Sequence, residues 1–391
     1  MKTIPFSGHS GVRNDISQER FKQDDLSAGV NVDVDKSGKL WRRDGTTSVL
    51  AGVMHSLYNN GDTTLVVDGT NLTQLDAAFG KRVLAIASGA RVAYETTNRQ
   101  VFWSDELVSG VVKDGVNRKW GVAVPPVPSV SIGAGDFAEG SYLVTTTYVR
   151  NDDHESGAPR STEIVLAANQ GFTLGLTPSL DPNVLYQRIY LSDINGKVCF
   201  LAGEVPNSAV SVTLTALPQL GAAVRTQFMG PPPAGQVVGY FKGRMYIAKG
   251  PYLWYSLPYE FELFDLRNGY MGFDTNVTTF AAVEDGIYVG TGNSVSWLSG
   301  NDPTKFDRKV VAPFGAVLGT EKLVPAHMMG DLEEQGDAQV FMTSRGLCAG
   351  FDGGVFKNLT GARYFPVSAS RGASLLKVRD GSPLLTTSLF N

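Results

Sequence analysis

The sharpest chemical pattern in the chain is Asp33-x-Asp35-x-Ser37-Gly38, with Asp44 following at the spacing of a terminal ligand. Oxygen ligands at alternate positions, a glycine at the bend and a closing carboxylate resemble a calcium loop, and Leu40 matches its usual apolar position. Lys36, Lys39, Arg42 and Arg43 surround it, and four cations oppose a divalent ion. A polar hairpin turn is therefore expected there, with no metal. A second cluster joins the carboxylates Glu260, Glu262 and Asp265 to Tyr252, Trp254, Tyr255, Tyr259, Phe261 and Phe264. Glycoside hydrolysis needs two carboxylates at a fixed separation, which sequence spacing does not set. The carboxylates are expected on a solvated sheet edge. The aromatics either stack on sugars or fill gaps between sheets and subunits.

Nucleophilic and metal chemistry find little support. Gly8-His9-Ser10-Gly11 misses the G-x-S-x-G spacing. Of His9, His55, His154 and His327, only His154 has a neighbour of ligand type, Glu155, in an expected loop. Gly290-Thr291-Gly292-Asn293-Ser294 lacks the third glycine of a dinucleotide fingerprint and reads as a turn. Cys199 and Cys348 are too few for a metal or disulfide framework and are expected as buried thiols. No catalytic, cofactor-binding or metal residue is assigned, and the chain is not read as an enzyme.

The elements that carry these residues come from an ordinary globular composition. The chain has 391 residues, 42% hydrophobic, which excludes disorder and suggests more than one core. Forty-four glycines without a three-residue period point to many tight turns. A formal net charge of −4 makes wrapping of nucleic acid by charge a poor expectation. Met1 to Gly11 has no apolar run, so it does not read as a secretory signal, and no stretch suggests a membrane span.

Residues 1–45 read as an N-terminal arm and hairpin. Asn14 to Leu26 suggests one short helix capped by Asn14. Val30 to Trp41 alternates around a Lys36-Ser37-Gly38 turn. From residue 46 a theme recurs: strand, glycine or polar turn, strand, then an aromatic strand ending in serine. It occurs at Val101-Phe102-Trp103-Ser104, Leu253-Trp254-Tyr255-Ser256 and Val295-Ser296-Trp297-Leu298-Ser299. The last two serines lie about 43 residues apart, the length of a propeller blade. The period breaks between two proline clusters, Val124 to Pro128 and Gly230 to Pro233. Strict alternation at Ser141–Val149 and Tyr186–Leu191 there suggests a sandwich. The expected fold is all-β: a propeller of five or six blades (46–122 and 229–391) with an inserted immunoglobulin- or fibronectin-like sandwich (123–228).

Three stretches resemble a known family. They are Ala28-Gly29-Val30-Asn31-Val32-Asp33-Val34-Asp35 with Gly38 to Gly45; Tyr142 to Val149 with Glu155-Ser156-Gly157-Ala158-Pro159; and Pro231-Pro232-Pro233-Ala234-Gly235 with Gly243-Arg244-Met245-Tyr246 and Leu253 to Ser256. They are similar to the nozzle, or packaged-DNA-stabilisation hub, proteins of short-tailed bacteriophages. The resemblance implies a structural virion protein of the phage tail, assembled in the host cytoplasm. Its partners would be copies of itself in a ring, usually a hexamer, the portal and adaptor proteins, and tail fibres or spikes. Packaged DNA would be retained and then conducted through the lumen at ejection, without sequence-specific contacts. The alternative is a carbohydrate-binding or glycan-cleaving propeller in a receptor-binding tail component, motivated by the Tyr252–Phe264 cluster. An adhesion or scaffold module is a third reading.

Overall fold

The computed structural model describes residues 8–35, 37–43, 45, 47–329, 336–361, 363–379 and 382–391. The protein is all-β, 52% strand, in many small sheets, with no α-helix among the described residues. It divides into two compact units, Met1–Ala93 with Phe273–Asn391, and Tyr94–Gly272.

The first unit holds three four-stranded antiparallel meanders. Their strands are Met54–Asn59, Thr64–Asp68, Asn71–Leu75 and Lys81–Ile86; Val277–Val283, Gly286–Thr291, Val295–Ser299 and Asp307–Ala312; and Lys322–Val324, Ala338–Thr343, Gly346–Gly350 and Phe356–Asn358. We call these the first, fourth and fifth sheets. Alternation puts every second side chain inward. Tyr288 and Trp297, paired across the fourth sheet, stack at 4.5 Å with Phe341 of the fifth sheet in the same core. The Tyr288 hydroxyl lies 2.6 Å from the Phe351 carbonyl, so a buried ring keeps its polar end satisfied while tying the two sheets together. A hairpin of Arg371–Arg379 with Ser382–Phe390 completes the unit.

The N-terminal arm also belongs to this unit. Val32–Val34 pairs with Leu40–Arg42, as alternation suggested. The expected helix at Asn14–Leu26 is absent: there is one 3-10 turn at Gln18–Arg20, and Asp25–Leu26 runs parallel to Gly11–Val12. The reason is competition for the cap. The Asn14 side chain is spent on the Phe365 backbone, and Arg13 bridges Asp15 and Asp25. Ile16, Phe21 and Leu26, five apart, also make no helical stripe.

The second unit contains two more small sheets. The second sheet comprises Ala93–Thr97, Gln100–Ser104, Ser109–Lys113 and Val116–Lys119, the first of these straddling the boundary. The third sheet is built from Val237–Phe241, Arg244–Lys249, Tyr252–Leu257 and Glu260–Asp265, with short additions at Met229–Gly230 and Tyr270–Gly272. Between them in sequence lie a three-stranded sheet (Ser129–Phe137, Gln170–Gly175, Ser211–Leu214) and a four-stranded one (Thr162–Leu166, Gly140–Arg150, Val184–Ser192, Cys199–Pro206). These two share one core, in which Phe137, Phe172 and Leu174 of one sheet meet Tyr142, Ile164 and Leu191 of the other.

The chain leaves and regains the small sheets at neighbouring points. A Cβ at Gly121, whose φ is +87°, would stand 2.7 Å from Pro231, and a Cβ at Gly157 would run into the Met229 carbonyl oxygen. Both glycines are therefore demanded by close backbone approach.

Candidate functional site

The carboxylate and aromatic cluster predicted from sequence lies on the third sheet, and the fold pulls it apart. Glu262 turns inward. Its Oε2 and Oε1 accept from both terminal nitrogens of Arg150 at 2.9 and 3.1 Å, and Arg118 reaches it at 2.6 Å. The Gly121 N–H donates to it at 3.0 Å. Arg150, 2% exposed, also forks onto Asp152 at 2.8 and 2.9 Å. Burial alone would raise the Glu262 carboxyl; the hydrogen bonds from Arg150 and Arg118 and their charges hold it below its usual value. Burial likewise opposes the shift at Asp152, which Arg150 brings down to about 2. The group is a bidentate buried network joining the second sheet, the third sheet and the strand Gly140–Arg150. His154 sits against it, its own pKa lowered chiefly by burial.

Asp265 is spent on a turn, where its carboxylate accepts from the Arg267 and Asn268 backbone N–H groups at 3.0 and 3.1 Å. Glu260 remains exposed on the strand. Two aromatics also leave the cluster: Phe264 is fully buried and Phe261 nearly so, packed with Phe102 and Trp120. Trp120 donates its indole N–H to the Phe261 carbonyl at 2.8 Å. Three rings, tilted or edge-on to one another, form a partly exposed cluster instead. Tyr252 lies 5.5 Å from Trp254 and 5.4 Å from Tyr270, and Trp254 lies 5.9 Å from Tyr270. The antiparallel register, Trp254 opposite Tyr270, builds it. Tyr270 lay outside the predicted cluster; only strand pairing brings it in. Tyr259 is exposed nearby, with its ring against Gly243.

The calcium-like pattern forms a hairpin turn. The Asp35 carboxylate accepts from the Ser37 N–H and hydroxyl, the Lys39 N–H and the Trp41 indole N–H at 2.6–2.9 Å. Those bonds, the Ser37 hydroxyl first, hold it well below the usual carboxylate range. Asp33 pairs with Arg43 at 2.8 Å. Asp44 and Lys36 lie outside the described residues. Among the described residues no group of three or more His, Cys, Asp or Glu is arranged to hold a metal.

The other singled-out residues fall into local roles. The Ser10 hydroxyl meets the Asp24 carbonyl and accepts from Arg363. Thr291 N–H closes the predicted turn onto Ser294 at 2.8 Å. Cys199 and Cys348 are free and buried, and burial pushes both thiols up. Two of the three serines that end the repeated aromatic strands share one device. Ser104 and Ser256 each accept a backbone N–H (from Gly235 and Met245) and lie 2.9 and 2.8 Å from the carbonyl of the next residue. Ser192 does the same with Leu143 and Asp193. No helix among the described residues is long and apolar enough to cross a membrane.

Sequence reasoning missed acids that burial pushes up, Glu95 and Glu321 among them. Burial pushes the Glu95 carboxyl up to about 7, even though it accepts backbone hydrogen bonds from Thr96 and Tyr240. A lone glutamate in a β-strand pattern carries no signal of this kind.

No protein-family profile and no curated protein matches the chain. Among solved structures it is similar to the AfRom2 CNH domain, with 9% identity and a TM-score of 0.26 over 79% of this chain and 81% of that one. It is similar to apo AztD from Citrobacter koseri, with 9% identity and a TM-score of 0.30 over 86% and 75%. It is also similar to PorZ of Porphyromonas gingivalis, with 14% identity and a TM-score of 0.20 over 83% and 49%. Likeness at this level carries no functional argument.

Proposed function

We propose that the chain is a non-catalytic structural subunit of a short-tailed phage nozzle. In this reading the five small meanders are propeller blades, the C-terminal hairpin adds to them, and residues 123–228 are an inserted sandwich. Copies form a ring against the portal and adaptor, hold packaged DNA, and let it pass at ejection. The supporting observation is what the resemblance-bearing residues do. Asp35 ties its own hairpin, Gly157 admits the Met229 backbone, and Pro231 abuts Gly121. All three serve joints between elements, and none is held ready for a ligand. A net charge of −4 also suits a wall that DNA must slide past. The test is electron microscopy of the chain mixed with the portal and adaptor proteins of its particle. A closed ring capping the adaptor is expected; a chain that never joins such a complex rules the reading out.

The partly exposed Tyr252–Trp254–Tyr270 cluster favours a second reading, glycan binding by a tail component. A glycan array discriminates: specific sugar binding lost in Trp254→Ala would promote it over the nozzle.

A further inference from the structure

A cavity of about 360 Å³ opens in the first unit, between the strand Met54–Asn59 and the C-terminal hairpin. Its polar lining is His55, Ser56, Arg91 and Arg371; Met54, Ala373 and Phe390 supply apolar surface. No carboxylate is among the lining residues. Arg91 pairs loosely with Glu321 at 3.7 Å, and among the described residues no carboxylate is paired with Arg371. Ser56, at a φ of +51°, accepts from the Val92 N–H at 2.9 Å and lies 2.9 Å from His55 Nδ1. The Ser56 hydroxyl and His55 Nδ1 thus hold each other at the cavity wall. The lining therefore sets the guanidinium groups of Arg371 and Arg91 beside His55 and Ser56, with no carboxylate among them. The left-handed Ser56 is backbone strain of a kind that clusters at ligand sites.

We infer that this cavity binds a small organic oxyanion: a carboxylate or phosphomonoester head against Arg91 and Arg371, with a compact apolar body against Met54 and Phe390. The planar fork of a guanidinium can engage two oxygens of either head at once. The volume is that of a small-molecule site. The inference stands apart from the nozzle reading, since it requires neither a ring nor DNA.

Calorimetric titration of the full chain tests it, with phenyl phosphate, benzoate and inorganic phosphate as separate probes. At least one organic anion is expected to saturate. Inorganic phosphate should be weaker by about tenfold or more, and Arg371→Gln should weaken the organic anion by a similar factor. The comparison of phenyl phosphate with benzoate identifies the head group. Arg371 is exposed, so its replacement should leave the unfolding midpoint in place. Phe390→Ala should erase the preference for organic over inorganic anions. Absence of saturable heat from both organic probes overturns the inference. So does binding unchanged by Arg371→Gln, or inorganic phosphate binding as tightly as the organic probes.

Discussion

Asn14 and Phe365 clasp each other reciprocally across almost the whole length of the chain. The Asn14 amide donates to the Phe365 carbonyl at 2.7 Å, and the Phe365 N–H donates to the Asn14 side-chain oxygen at 2.8 Å. The Asn14 N–H adds a third bond, to the Arg363 carbonyl at 3.0 Å. One side chain thus acts as a strand partner and straps the N-terminal arm to the segment after the fifth sheet. Asn14→Ala should lose two hydrogen bonds, loosening the arm by about 1–2 kcal/mol without unfolding the unit. Hydrogen exchange reads this directly. The Phe365 and Arg13 amides should exchange faster, and unchanged protection at both would refute the strap.

The Arg150–Glu262 pair should behave as a buried ion pair. Arg150→Ala leaves Glu262 with Arg118 and the Gly121 N–H, strips Asp152 of its arginine, and is expected to cost about 3–5 kcal/mol. The double replacement Arg150→Met with Glu262→Met removes the central pair but also takes a partner from Arg118 and Asp152, so it should recover only part of that loss. Denaturant midpoints decide; a double variant no better than the single one contradicts the account. The pH dependence has a definite sign. Glu262 and Asp152 are held below their ordinary values of 4.5 and 3.8. Their stabilisation is present above those values and fades as pH falls toward the folded pKa, about 2 for Asp152.

Glu95 runs the other way. Its folded pKa of about 7 lies above the ordinary 4.5. Its contribution is intact below 4.5 and is lost as pH rises through 7. Glu95→Gln should therefore stabilise at pH 8, on the order of 1 kcal/mol after allowance for partial exposure, and should do little at pH 4. Thermal midpoints of the two proteins across that range check it. Parallel curves would show that the carboxyl is not withdrawn from water.

Gly157→Ala should be among the most damaging single changes. The added methyl meets the Met229 carbonyl oxygen, and backbone on both sides leaves nothing to yield. A cost of about 3 kcal/mol or more is expected. Gly133→Ala, in a strand of the same unit and with nothing within 4 Å of its Cβ, should be nearly silent. Comparable losses in the two variants would remove the close-approach argument.

These residues show what a sequence reveals and what it conceals. The all-β character was legible because alternation and glycine turns are local, as in Val237 to Ala248. The strand-ending serines were visible as a repeat, though the clasp of two backbone groups by Ser104 and Ser256 was not. Glu262 read as part of a surface trio because its partner Arg150 stands 112 positions upstream. The helix expected from Asn14 failed for the same reason, since its competitor for the cap lies at the far end of the chain. Long-range pairing, not local propensity, assigned both side chains.

Cys199 falls in one compact unit and Cys348 in the other, both free and buried. The molecule thus carries one shielded thiol in each half as a native reporter. An alkylating tag added under graded denaturant can time when either half opens, independently and without engineered labels.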